Sequence, residues 1–283
     1  MTTAATIPRK PYLTIRPSKG WVPVNFRDIW LFRDLLTSLG IRDTKLRYRQ
    51  TALGAAWVVI QPLMAAGLVT MVFSGVAHIT TGDDKVPYFI FALAGQLAWI
   101  AFNSTLSKTA QCLVANAALV SKVYFPRLVL PLSTIYSTLV DFSVAMVVML
   151  ILLPIYHIPY TWHLLLLPVW FLLLMALSMG LGLYSAALSV TYRDVNYVMP
   201  ILIQLLMYAA PIVYPLAKAH ALVRRFILYN PLTGLVEGFR WSLLGGSDVT
   251  RGMVAYSVSG SLLIFVAGAY AFRRMEKKFA DII

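Results

Sequence analysis

Residues 142–192 read FSVAMVVMLILLPIYHIPYTWHLLLLPVWFLLLMALSMGLGLYSAALSVTY, fifty-one positions without one Asp, Glu, Lys or Arg. A charged side chain at mid-membrane costs about 2.5–3.5 kcal/mol on insertion scales, so a run free of charge is the mark of bilayer-spanning helix. One span needs about 20 apolar residues to cross about 30 Å of hydrocarbon. The run is long enough for two, and Pro154 to Pro159 supplies the hairpin between them.

Working outward, the same depletion recurs over Gln50–Gly82, Val86–Ser107, Val195–Ala217 and Gly252–Phe272. Six spans are predicted, at about 52–76, 86–110, 128–154, 161–190, 196–215 and 252–272. Pro62 falls inside the first. The chain of 283 residues is 59% hydrophobic and 12% charged, with mean hydropathy +0.75. Soluble domains carry about 25% charged residues, so little soluble mass is left. The fold class expected is an all-α integral membrane protein.

Between the spans the chain changes character. Residues 1–23 hold Pro8, Pro11, Pro17 and Pro23 and read as a cytosolic tail. Over 24–40, Ile29, Phe32, Leu36 and Leu39 recur at helical spacing, which predicts an amphipathic helix lying on the membrane surface or packed on a soluble partner. A basic linker completes this unit to residue 50, and 51–283 form the six-span membrane body. Residues 218–250 are interrupted by Arg224, Arg225, Glu237 and Arg240 and by an Asn230-Pro231 break. They fit interfacial or re-entrant half-helices.

With the N-terminus inside, cytosolic segments hold eighteen Lys and Arg against six in the outer ones. The positive-inside rule therefore puts both termini in the cytosol. The net charge of +13 is explained by this anchoring, and no nucleic-acid partner is expected.

Several chemistries are excluded. Cys112 is the only cysteine, so no intrachain disulfide or cysteine metal cluster forms. The four histidines lack close metal-ligand spacing. The dipeptide Gly-Lys is absent, so a Walker-type loop for ATP is absent too. Work against a gradient must draw on a partner or an ion.

Asp141 is the only acid well inside a predicted span. It reads as a relay or substrate contact, or as a packing group satisfied by Ser, Thr or backbone. Glu237 and Arg240 share a helix face and are expected to pair. Arg42, Lys45, Arg47 and Arg49 precede the first span. They read as positive-inside anchors or as a site for a lipid phosphate or diphosphate, since Arg forks match phosphate oxygens. Among thirty-six aromatics, Trp57, Trp99, Phe102, Tyr197, Tyr208 and Tyr214 are candidates to line a path on which sugar rings stack, or belong to ordinary packing and interfacial belts.

The ordered motifs carry a resemblance. Arg42-Asp43 is followed by Arg47-Tyr48-Arg49-Gln50-Thr51-Ala52-Leu53-Gly54, Trp57 and Gln61-Pro62-Leu63. Pro87-Tyr88-Phe89, Gly95, Trp99 and Asn116 come next, then Val120-Ser121-Lys122-Val123-Tyr124-Phe125-Pro126-Arg127 and Pro131. Tyr192-Arg193-Asp194-Val195, Pro211, Tyr214-Pro215, Asn230-Pro231-Leu232 and Glu237-Gly238-Phe239-Arg240 follow. Phe272-Arg273-Arg274-Met275-Glu276 and Phe279-Ala280-Asp281 close the set. Over about 24–283 the chain resembles the permease subunits of bacterial ATP-binding-cassette polysaccharide exporters, the Wzm type, with teichoic-acid exporters as cousins.

The resemblance implies a homodimer in the inner membrane, with a channel between protomers and two separate Wzt-type ATPase subunits that hold ATP and Mg. This chain would then carry no cofactor and be no enzyme by itself. It implies that residues 24–40 are an interface helix and that 114–127 include a coupling helix, with Lys122, Tyr124 and Arg127 facing the ATPase. Residues 218–250 would be outer gate helices. The cargo would be a polysaccharide such as O-antigen on a polyprenyl diphosphate lipid. The competing readings are an ABC permease for teichoic acid, lipid or drug, and an ion-coupled carrier or membrane-embedded transferase. The last would need paired intramembrane acids or a catalytic carboxylate motif, and Asp141 stands alone in sequence.

Overall fold

The computed structural model describes residues 26–49, 54–78, 80–81, 86–246, 249–276 and 279. The predicted tail 1–23 and the turn Gly82–Lys85 lie outside them. All regular structure among the described residues is helical.

In chain order the helices are α1 (Phe26–Leu31), α2 (Arg33–Tyr48), α3 (Trp57–Thr70), α4 (Tyr88–Ala115), α5 (Ala117–Lys122) and α6 (Val129–Ile155). Then come α7 (Leu167–Thr191), α8 (Val195–Tyr208), α9 (Ala221–Leu228), α10 (Pro231–Leu244) and α11 (Arg251–Met275). A π-helical stretch, Met71–Val76, extends α3, and a 3-10 stretch, Trp162–Leu166, leads into α7.

Five of these units among the described residues are long and apolar enough to span: Trp57–Val76, Tyr88–Ala115, Val129–Ile155, Trp162–Thr191 and Arg251–Met275. The predicted fifth span, 196–215, is realised as α8, an apolar helix of 14 residues. At 1.5 Å per residue it is about 21 Å long, short of the hydrocarbon thickness. It stops because Pro211 follows: the residue before a proline is pushed out of the α region.

The spans pack around α4, most of which is buried against α3, α6, α7 and α10. Leu93, Leu97, Phe102 and Leu106 of α4 form one apolar core with Leu174 of α7 and Phe239 of α10. A second core fills the opposite end, where Leu39 of α2 meets Leu113, Val120, Phe125, Leu183 and Phe272. The outer faces of α3, α6 and α11 stay apolar and exposed, as at Leu68, Val147, Leu263 and Val266. Such faces would aggregate in water and belong against lipid or a second apolar surface.

Helices α7 and α11 cross backbone to backbone. A Cβ on Gly268 would lie 2.0 Å from the Gly180 carbonyl oxygen, and one on Gly180 would lie 2.6 Å from that of Ile264. Lipid tails are as apolar as Leu, so helix association in a bilayer rests on close packing of small residues.

The amphipathic N-terminal helix differs from expectation in extent. It breaks at Phe32, then runs unbroken to Tyr48, so the predicted linker up to residue 48 is helical. Ile29, Phe32, Leu35 and Leu36 turn toward the second core, while Trp30 and Leu31 remain exposed.

Candidate functional site

Because α2 continues to Tyr48, its last turns reach across α6 and bring distant charges together. Arg47 forms an ion pair with Asp141 Oδ2, and the Tyr48 hydroxyl donates to Asp141 Oδ1. Lys108 of α4 approaches the same carboxylate, its Nζ 3.7 Å from Oδ2. It donates to Ser137 Oγ at 2.8 Å and to Thr138 Oγ1 at 3.4 Å. The Asp141 side chain is 12% exposed, and a carboxylate so buried needs compensating partners. Burial, reinforced by the hydrogen bond and the charge of Asp141, pushes the Tyr48 phenol above its ordinary range.

These cations border a cleft of about 500 Å3 between α2, α4 and α6, lined by Arg42, Arg47, Lys108, Ser133, Thr134 and Ser137. Arg42 pairs with Asp43 at 2.8 Å and donates to Asn116 Oδ1 at 2.9 Å. Of the four basic residues singled out in the sequence, Arg42 and Arg47 reach the cleft. Lys45 and Arg49 are exposed and lie outside its lining. Lys108, near the end of the predicted second span, is the residue the sequence reading missed. Its signal was available: a Lys and an Asp inside two predicted spans are expected to find each other.

A second polar centre closes the break after α8. Arg240 of α10 is 2% exposed and donates to Glu237 Oε1 at 2.6 Å, the pair expected from sequence. Its other terminal nitrogen donates to the carbonyls of Pro211 and Ile212, both at 3.0 Å. The guanidinium lies 3.8 Å from the centre of the Phe91 ring. The Tyr88 hydroxyl donates to the Val213 carbonyl at 2.5 Å. Non-helical backbone at membrane depth persists only where its polar groups are satisfied by protein, and these side chains do that. Gly95 makes the room, since a Cβ there would lie 2.4 Å from both Arg240 Nη2 and the Ile212 oxygen. Asn230 caps α10 by accepting from Leu232 N at 3.0 Å, and its amide donates to the Ala209 carbonyl at 3.1 Å.

At the α2 end, α5 and the segment after it form a projecting loop. Lys122, Val123 and Tyr124 are exposed. Arg127 anchors the loop's base, donating to the Glu276 carbonyl at 2.7 Å while its own amide reaches Glu276 Oε1 at 3.3 Å. Glu276 is itself paired with Arg273 at 2.9 Å. The loop is thus tied to the end of α11 with a free tip.

The six aromatic candidates separate. Trp57, Tyr197 and Tyr208 are exposed, and Tyr214 is half-buried with its hydroxyl on the Tyr208 carbonyl at 3.0 Å. Trp99 and Phe102 are buried, their rings 5.7 Å apart in the core. Trp99 also borders a cleft of about 300 Å3 between α4 and α8, with Asn103, Gln111 and Gln204.

A family model for ABC-2 type transporters matches residues 34–244. The chain is 31% identical over 263 residues to the O-antigen export system permease protein RfbA of Myxococcus xanthus, covering 91% of this chain and 98% of that protein. It is 26% identical over 258 residues to RfbA of Klebsiella pneumoniae, covering 88% and 95%. It is 26% identical over 246 residues to the polysialic acid transport protein KpsM of Escherichia coli, covering 85% and 93%. The family is one of transporters and not of enzymes, which agrees with a chain of packed membrane helices. A match over most of the chain, at full-length correspondence with its relatives, makes this an all-helical, multi-pass member of the ABC-2 type transporter family.

Proposed function

We propose that this chain is the membrane subunit of an ATP-driven exporter that carries a polysaccharide on a polyprenyl diphosphate lipid, such as O-antigen, from the cytosol across the bacterial inner membrane. The observation that carries the reading is the placement of two features at one end of the molecule. The cationic cleft of Arg42, Arg47 and Lys108 lies at the same end as the exposed Lys122–Tyr124 tip. A permease needs both there: cations to gather an anionic head group, and a docking element through which an ATPase drives it. Full-length correspondence with permeases named for O-antigen and polysialic acid supports a polymer cargo.

In this reading the working unit is a homodimer bound to two Wzt-type ATPase subunits, which hold the ATP and Mg. Both termini are cytosolic, α5 is the coupling helix, and α9 with α10 forms the outer gate. The exposed aromatics Trp57, Tyr197 and Tyr208 line the sugar path, because flat rings stack on sugars without a deep binding minimum. Arg42 and Arg47 contact the diphosphate, while Lys45 and Arg49 serve as anchors at the surface.

Deleting the gene in its native host tests this. The expected result is loss of surface polymer, with lipid-linked polymer accumulating in the cytosolic leaflet and restored export on complementation. Unaltered surface polymer, together with altered lipid or drug efflux, sinks the reading.

A further inference from the structure

Asp141 sits where a ligand phosphate would compete with it. Its carboxylate is held by Arg47, Tyr48 and Lys108, and both cations also line the cleft between α2, α4 and α6. We propose that Asp141 is a built-in counter-anion of this cleft, which a phosphate-bearing head group displaces from Arg47 and Lys108, so releasing the end of α2 from α6. The inference rests on the head-group reading above and adds to it the residue that tunes affinity and reports occupancy.

The charge balance supports exchange. Arg42, Arg47 and Lys108 face Asp43 and Asp141, three cations against two carboxylates, a net charge of +1. That is a weak attraction for a diphosphate while Asp141 is engaged. A diphosphate offers more oxygens and more charge than a carboxylate, and the Arg fork binds phosphate oxygens in pairs.

The geometry supports it too. Lys108 already divides its donors between Asp141 at 3.7 Å and Ser137 at 2.8 Å. Ser137 lines the cleft, so the ammonium turns inward without losing that hydroxyl. Thr134 and Ser133, further back on α6, line the same space but donate their protons to the Pro131 and Leu130 carbonyls, so the cations alone are left to hold an anion there. Arg47 stands on α2, and the other end of α2 packs with Val120 and Phe125 of the projecting loop. Freeing Arg47 from α6 therefore changes the footing of a helix whose Arg42 holds Asn116, the residue that opens α5.

The test is binding to full-length protein in nanodiscs of phosphatidylethanolamine and phosphatidylglycerol. Two probes are used, inorganic pyrophosphate and sugar-free polyprenyl diphosphate. Asp141→Asn raises the cleft to a net +2 and is expected to bind about fivefold or more tightly. Tyr48→Phe removes one donor from the carboxylate without altering charge, and is expected to tighten binding about twofold. This second variant keeps the inference falsifiable if Asp141→Asn is not monodisperse. Arg47→Gln and Lys108→Gln are expected to weaken binding about tenfold.

Tightening with both probes supports the inference for the phosphate group alone. Tightening only with the lipid supports it and identifies a membrane head group as the source. Unchanged or weaker binding in Tyr48→Phe and Asp141→Asn, with Arg47→Gln and Lys108→Gln still weakened, overturns the counter-anion role and leaves the head-group reading standing. Binding that no variant alters, or no binding of either probe, overturns both.

Discussion

Arg47 and Asp141 are ion-paired across 94 residues of sequence, joining the last turn of α2 to the interior of α6. The pair ties α2 to α6, one of the helices long and apolar enough to span a membrane. A force applied to α2 is passed to a span through a charge contact, not only through apolar packing.

The pair predicts strong coupling in a double-mutant cycle. Arg47→Gln and Asp141→Asn are each expected to lower the thermal midpoint in detergent, and the double variant to lower it by clearly less than their sum. A coupling of about 1–3 kcal/mol fits residues in one buried network. Strict additivity in the midpoint shifts means the contact is dispensable.

Replacing Gly268 by Val or Leu is expected to abolish folded protein. The new Cβ alone meets the Gly180 carbonyl oxygen at 2.0 Å, and neither backbone has a rotamer with which to yield. Overpacking of this kind costs about 1–3 kcal/mol and more where backbone must shift. Fluorescence-detected size exclusion should show aggregate only. Gly252 is the control: a Cβ added there would meet nothing within 4 Å, and Gly252→Ala should run like the parent.

Arg240→Lys should insert and fold yet loosen the segment after α8. An ammonium keeps the charge beside Glu237 but lacks the planar fork that reaches Pro211 and Ile212 together. Hydrogen exchange over 209–215 is expected to rise at least about tenfold. Arg240→Met is worse, because it removes the guanidinium from a buried ion pair with Glu237, a loss that costs about 3–5 kcal/mol. Parental exchange rates in Arg240→Lys would show that the fork does not clamp this segment.

Charge reversal at Lys122 and truncation of Tyr124 to Ala should leave the thermal midpoint within about 1 °C of the parent, since exposed substitutions seldom exceed about 0.5 kcal/mol. In the reconstituted exporter both should cut transport and partner-stimulated ATP hydrolysis severalfold. Arg127→Glu should differ by also lowering the midpoint, because it repels Glu276. Full coupling in a Lys122→Glu, Tyr124→Ala double variant moves the ATPase contact elsewhere.

The alternation of charge-free and charged stretches determined the membrane class and most helix bounds. The prediction of 128–154 compares with Val129–Ile155, and 161–190 with Trp162–Thr191. This works because the bilayer penalises charge locally, residue by residue, so composition alone carries the information. The Glu237–Arg240 pair was legible for a related reason: three residues apart on a helix, the two share a face whatever surrounds them.

What tertiary structure decided is everything that depends on two distant segments. The charge-free run Val195–Ala217 looked like a span, yet its helix ends at Tyr208. Hydropathy does not register that its later carbonyls are satisfied by Arg240 and Tyr88, which permits non-helical backbone there. Asp141 looked solitary because its partners lie 33 and 94 residues away, at Lys108 and Arg47, on helices whose packing no local pattern reports. The same packing placed Arg42 and Arg47 on the cleft and left Lys45 and Arg49 outside it. Helical spacing sorts residues by face, but only the crossing of α2 over α6 determines which face meets the protein.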